Sequence, residues 1–193
     1  GDYFGYINPG DPVTAADMAW RDASVSHIKN GIYGEMFISA AIACAAVTDD
    51  VEQILLGGLS QIPATSRLYE AVMNVIERYR QGESAESFFA DLHTRWDEFN
   101  VHDWCHTISN AEIVSASMLW CQGDFNRAIW MAVETGFDTD CNGATVGSVL
   151  GMANGIESIP EYWIRPINDT LYTSIFGIDT VKISDRVKLT LEH

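Results

Sequence analysis

Residues 136–143 read Gly-Phe-Asp-Thr-Asp-Cys-Asn-Gly and place two carboxylates, Asp138 and Asp140, two positions apart among apolar neighbours. Like charges so close repel, so either one carboxyl is protonated or a cation lies between them. Oxygen ligands of this kind suit a hard divalent cation such as Mg²⁺. The stretch runs on into Gly143, Ala144, Thr145, Gly147 and Ser148, small residues that open a helix. The free N–H groups and positive dipole end of such a helix favour negative groups nearby, and small side chains let them approach. Three readings compete. Either aspartate can simply cap the helix. Asp138–Gly143 also fits the first six positions of an EF-hand calcium loop, but the bidentate glutamate of position 12 is replaced by Val149, and position 9 is Val146. The third reading is half of a metal site, completed by carboxylates elsewhere in a larger fold.

Other groupings carry less chemistry. His102-Asp103-Trp104-Cys105-His106 matches neither a zinc spacing nor the haem-attachment sequence and reads as a hydrogen-bonded helix start. Thr48-Asp49-Asp50 follows a long apolar run and reads as a helix cap. The cysteines at 44, 105, 121 and 141 form no CxxC pair. Cys44 and Cys121 lie in apolar helical context and are expected to be buried thiols, which fits a reducing compartment. There is no phosphate-binding Gly-rich loop and no G-x-S-x-G elbow.

The elements that must hold these residues are helical almost throughout. Residues 1–12, rich in Gly, Pro and aromatics, read as loop. Helices are expected from Thr14 to about Ser24 and from Gly31 to Val47, the second nearly apolar all round as a central helix must be. A short third helix starts at the acids Asp49, Asp50 and Glu52. Leu68, Val72, Val75, Ile76 and Tyr79 recur at helical spacing. Gly82 ends that helix and Ser84 starts the next, through Phe88, Phe89, Leu92 and Trp96. Asn110–Cys121 and Asp124–Thr135 form a hairpin around Gln122-Gly123, capped at Asp124. A helix from Gly143 to Ala153 follows the Asp138 loop. Residues 156–180 read as loop, and a last helix follows Ser184. Trp96, Trp104, Trp120, Trp130 and Trp163 fall at apolar helical positions and are expected in the core. The fold class is all-α, with no internal boundary.

The chain has 193 residues, 47% of them hydrophobic and 20% charged, which is ordinary globular composition. Eleven Lys and Arg against 27 Asp and Glu give a formal net charge of −16. Nucleic-acid backbones and anionic membranes would be repelled. The longest apolar stretch, Met36 to Val47, is too short to span a membrane, and no signal peptide opens the chain. A cytoplasmic location is therefore expected.

Gly136 to Gly155 resembles the C-terminal signature of the ADP-ribosylglycohydrolase family, a G-x-D-T-D-T-type loop followed by a Gly/Ala-rich helix. Upstream, His106-Thr107-Ile108-Ser109-Asn110-Ala111 with Gly123-Asp124-Phe125 resembles the helical hairpin before that loop. Arg21 to His27, followed by Gly31, resembles the segment around the family's substrate-pocket histidine, and Gly1 to Pro9 resembles the stretch lining the pocket before it. The resemblance implies an all-α, orthogonal multi-helix fold and two Mg²⁺ ions (Mn²⁺ in some members). Asp138 and Asp140 are then metal ligands and catalytic residues. Cys141 stands where the family has a ligating Thr, and a soft thiol suits Mg²⁺ poorly. His27 would face the ribose-phosphate side of the pocket. Phe4, Gly5 and Tyr6 would approach or stack on the ligand.

The implied reaction is hydrolysis of an N- or O-glycosidic bond at C1″ of ADP-ribose, with metals as template and Lewis acid and a carboxylate as general base. The family's other ligand cluster, Thr-Asp-Asp, and its flap glutamate belong to an N-terminal half not matched here. Residues 1–190 are thus expected to be the C-terminal portion of one domain, with a Thr-Asp-Asp run upstream of Gly1 and little turnover from residues 1–193 alone. Leu191-Glu192-His193 resembles the stub of a histidine tag. Self-association through an apolar face is expected. The competing expectation is a non-catalytic helical module that binds a nucleotide or a partner, as the family's lens-crystallin relatives imply.

Overall fold

A computed structural model describes residues 1–193. Eleven α-helices and one small two-stranded sheet make up the chain. In order they are α1 (Asp2–Tyr6), α2 (Pro12–Ala23), α3 (Asn30–Ala45), α4 (Val51–Leu59), α5 (Arg67–Arg80), α6 (Ala85–Arg95), α7 (Thr107–Trp120), α8 (Phe125–Glu134) and α9 (Thr139–Asn154). Then follow α10 (Glu161–Ile164), β1 (Thr170–Ile175), β2 (Ile178–Lys182) and α11 (Ile183–Leu191). The fold is all-α, as its sequence pattern and family resemblance imply.

Local chemistry sets the helix starts. Asp11, Asp50, Ser66, Ser84, His106 and Asp124 each accept a hydrogen bond from a backbone N–H in the first turn of α2, α4, α5, α6, α7 and α8. Such caps satisfy donors that the helix itself leaves unpaired. Pro12, at the first position of α2, brings its fixed φ where the N–H is not needed.

Two helices form the middle of the molecule. In α7, 12 of 14 residues are buried, which no surface helix could sustain. α3 packs against α1, α2, α4, α7 and α9. Its alanines at 40, 41, 43 and 45 are buried and allow that close approach. α5 lays Leu68, Val72, Val75 and Ile76 onto this centre, as their spacing requires. A contiguous core of 29 buried residues results.

The structure departs from the sequence pattern at the start of α9, which begins at Thr139 rather than Gly143 and so takes Asp140 and Cys141 into its first turn, and in three further places. Residues 1–12, expected as loop, contain α1, because Gly5 lets the chain lie directly on Ile42 of α3. Residues 156–180, also expected as loop, contain α10 and most of an antiparallel hairpin. β1 and β2 pair Thr170 with Lys182, Leu171 with Val181 and Tyr172 with Thr180 around Phe176-Gly177. Their β-branched and aromatic residues favour strands. No core lies beneath the ribbon to impose a period of two, so the strands leave no alternation to read. No residue after Leu150 is buried. Third, Trp104 and Trp130 are 41% and 60% exposed rather than core, whereas Trp120 is buried. All four cysteines are free, Cys121 buried and Cys44 half-buried. No helix is long and apolar enough to cross a membrane.

Candidate functional site

The turn between α8 and α9 is built by two successive residues in the left-handed region, Gly136 (φ 80°) and Phe137 (φ 63°). A bulky residue rarely adopts this conformation, and it persists only where its surroundings fix it. Here the Phe137 ring is buried, with its centre 5.3 Å from that of His93. At Gly136 a Cβ would collide with a Glu98 carboxylate oxygen. The turn swings the chain so that Asp138 takes the cap position of α9.

Asp138 makes no side-chain cap bond of normal geometry. Its backbone carbonyl accepts from Asn142 N–H at 2.9 Å, and its carboxylate lies beside Cys141, whose thiol and backbone N–H both favour its charged form. Asp140 lies inside the first turn. The ligand atoms of Asp138, Asp140 and Cys141 all lie within 4.8 Å of one another, and no other such cluster occurs. Burial and the neighbouring Asp140 carboxyl push Asp138 above the usual carboxylate range, against the pull of the Cys141 thiol. Burial and the carboxylates of Asp138, Asp140 and Asp2 push the Cys141 thiol up as well. The donor set therefore fits a hard cation through Asp138 and Asp140. Cys141 stays a neutral thiol and fits it poorly, since metals bind the thiolate.

Beside this turn lies a cavity of about 250 Å³ whose wall includes Asp2, Glu35, Thr107, Asn110, Asn142 and Thr145, together with Cys141. Its parts come from α1, α3, α7 and α9. The buried Asn142 donates through Nδ2 to Asn110 Oδ1 at 2.6 Å and locks α9 to α7. Tyr6 Oη–H donates to Ser148 Oγ at 2.6 Å, and Ser148 donates in turn to Asp2 Oδ2 at 2.6 Å. Glu35 Oε1 is buried without a hydrogen-bond partner. Burial pushes the Glu35 carboxyl above its ordinary range; the Gly1 ammonium, 3.9 Å from Oε1, opposes the shift, Asp22 adds to it and His27 opposes it more weakly.

The residues singled out from the sequence divide. Asp138, Asp140 and Cys141 come together. Gly5 is buried against α3, Phe4 is half-buried in α1, and Tyr6 is engaged with Ser148, so none of the three lines the cavity. His27 is exposed beyond the end of α2, with Nδ1 2.8 Å from Ser26 Oγ, and reaches the cavity only through its charge on Glu35. Thr48-Asp49-Asp50 caps α4 at the far end of α3, about 15 Å from Glu35 by helical rise alone. His106 caps α7 through Nδ1. Sequence reasoning missed Asp2, Glu35, Asn110 and Asn142. Glu35 carried one signal, being the only charged residue within α3.

The chain matches the ADP-ribosylglycohydrolase family over residues 3–189, which takes in nearly every side chain described above. It belongs to that family. No curated protein and no solved structure matches it. Membership makes this a chain of a hydrolase family whose substrates are ADP-ribosylated molecules or ADP-ribose. The match spans the small-residue helix α9, the α7–α8 hairpin and the α1–α3 segment alike.

Proposed function

We propose that this chain supplies the Asp138–Asp140 part of a magnesium-dependent site that hydrolyses a glycosidic bond at C1″ of ADP-ribose. The observation that carries the reading is the pair itself, two carboxylates held together at a helix start beside a cavity walled by Asp2, Glu35, Asn110 and Asn142. Asp138 and Asp140 would hold Mg²⁺, with Mn²⁺ as the alternative ion, and Cys141 would leave its position to water. The ion's chemistry is that of a template and Lewis acid for the ribose hydroxyls. Asp140, the more exposed carboxylate, orients the attacking water. Asp2 and Glu35 accept hydrogen bonds from ribose hydroxyls, and Asn110 and Asn142 fix the cavity between them. Charge favours the cation too. ADP-ribose brings an anionic diphosphate to a chain of net charge −16, beside four carboxylates. That approach is repulsive until a divalent ion offsets it.

A second reading has one observation in its favour, the single ligand cluster among these 193 residues. It keeps the helical fold and a nucleotide pocket without turnover. Calorimetric titration with ADP-ribose, with and without Mg²⁺, separates the two. Binding that requires Mg²⁺ and is lost in Asp138→Asn supports the hydrolase site. Binding indifferent to Mg²⁺ supports the non-catalytic module, and absence of binding in both conditions refutes both.

A further inference from the structure

Asp2 stands at the wall of the polar cavity at the end of a chain of two hydrogen bonds. The chain starts on its own helix and passes through α9. Tyr6 Oη–H donates to Ser148 Oγ, and Ser148 Oγ–H donates to Asp2 Oδ2, both at 2.6 Å. The last member fixes the direction. A carboxylate only accepts, so Ser148 must give its single proton to Asp2, and its oxygen then accepts from Tyr6. Burial above all, with the Asp2 charge added, pushes the Tyr6 phenol above its ordinary range against the pull of Ser148. Tyr6 therefore keeps the proton that the chain needs. In such a series each bond polarises the next.

The register of α9 shows where the chain acts. Cys141, Thr145 and Ser148 are spaced i, i+4 and i+7, so they share one face of the helix. Cys141 and Thr145 line the polar cavity with Asp2, and Ser148 lies about one turn beyond them. Asp2 is near enough to Cys141 for its charge to push up that thiol. The Asp2 carboxylate thus joins the cavity, which it lines, to Ser148, which does not line it. Asp2 forms no ion pair. A tie between α1 and α9 for stability alone needs no charge at its end, and an apolar contact would serve it. An unpaired carboxylate at a cavity wall instead suits a hydrogen-bond donor from a ligand. We infer that Tyr6 and Ser148 are positioning residues, which fix Asp2 so that it accepts from a hydroxyl of the ribose that carries C1″. For the ligand and its contact with Asp2 this rests on the proposed function. Tyr6 then serves binding through its hydroxyl and not through its ring.

Calorimetric titration of the whole chain with ADP-ribose in saturating MgCl₂ is the test. Tyr6→Phe keeps the ring and removes one oxygen; it should weaken ADP-ribose binding about three- to tenfold, as the loss of one hydrogen bond does. Ser148→Ala cuts the chain at a bond to a charged group and should weaken binding about tenfold or more. The double variant should bind as Ser148→Ala does, because Tyr6 acts only through Ser148. Each variant should keep the wild-type rise in melting temperature on adding MgCl₂, since Asp138 and Asp140 are untouched. A purely structural tie would lower the melting temperatures and leave the affinities alone. Tyr6→Phe that binds ADP-ribose as the wild type does overturns the positioning role and leaves the proposed function standing. So do losses that add in the double variant, or a magnesium response lost in Tyr6→Phe. A wild-type chain that binds no ADP-ribose overturns the proposed function and the positioning role with it.

Discussion

Asp138→Asn should reverse its effect on stability when magnesium is added. The replacement keeps size and shape and leaves an acceptor oxygen beside the Cys141 N–H, so no well-formed cap is lost. It removes one of two like charges whose oxygens lie within 4.8 Å of each other. At that separation the repulsion is about 1 kcal/mol in bulk water and about 3.5 kcal/mol at an effective dielectric of 20. Asp140 is exposed, so solvent screening puts the gain near the lower figure, about 1 kcal/mol. For a chain of this length that corresponds to a melting temperature raised by roughly 2–4 °C. Magnesium then acts the other way. At about 100 times its Kd, an ion that binds the folded state stabilises it by about 2.7 kcal/mol, or roughly 5–10 °C. The wild type should collect this and the variant should not. Thermal unfolding followed by circular dichroism is the assay, in EDTA and in saturating MgCl₂. The variant should melt higher in EDTA and lower in MgCl₂. A variant that melts lower in EDTA would show that the carboxylate has a structural partner. Equal magnesium responses would show that the pair does not hold the ion.

Three further outcomes follow from the geometry. Gly136→Ala puts a Cβ at φ 80° and against the Glu98 carboxylate; it should cost about 1–2 kcal/mol, read as a lower melting temperature that Glu98→Ala restores only in part, because the backbone strain remains. Glu112 is buried and paired with Arg95 at 2.9 Å and with Trp96 Nε1–H at 3.0 Å, yet burial pushes its carboxyl above the usual range. The folded state therefore holds that proton more tightly than the unfolded state, so stability is lost as pH rises through the folded value. Glu112→Gln should accordingly melt no lower than wild type at about pH 7.5, with any advantage vanishing at or below about pH 4, whereas Glu112→Ala should lose about 1–3 kcal/mol by orphaning the Trp96 indole. The hairpin tip carries a fully exposed Phe176 beside Ile175 and Tyr172 on an uncovered ribbon. Sedimentation should show concentration-dependent self-association that Phe176→Asp reduces; a wild-type monomer at all concentrations would refute it.

How much of this was legible in the sequence depended on the range of the interaction. Caps and amphipathic faces act within a few residues, so Asp50, Ser84, Asp124 and the Leu68–Ile76 stripe could be read directly. The metal-loop pair could be read for the same reason, since Asp138 and Asp140 are near neighbours. The polar cavity could not. Asp2 lines it and is held by Ser148, 146 positions away, and Asn110 meets Asn142 across 32. No local pattern records such pairs. Tyr6 shows the cost of reading a residue by type alone: an aromatic beside a pocket suggested stacking, but its hydroxyl serves the Ser148–Asp2 chain. The hairpin escaped notice because alternation is imposed by a core on one face of a sheet, and this ribbon covers none.

The strongest internal argument for a site at Asp138 is a conflict between local rule and observed geometry. Six helices in this chain begin with a side chain that accepts from the first turn, and three of those caps are aspartates. Asp138 is the right residue at the right position of α9 and makes no bond so well formed, only a weaker approach to the Cys141 N–H. Such a cap is worth about 0.5–2 kcal/mol. The carboxylate instead stands beside another carboxylate, partly buried, at the end of a turn strained at Phe137. Each choice is unfavourable for an isolated helix. A divalent ion between Asp138 and Asp140 would offset both, by giving the weakly capping carboxylate a partner and the adjacent charges an attraction in place of repulsion. Local rules fail together mainly where function is served. Stability alone would have drawn Asp138 into the full cap that Asp11, Asp50 and Asp124 make.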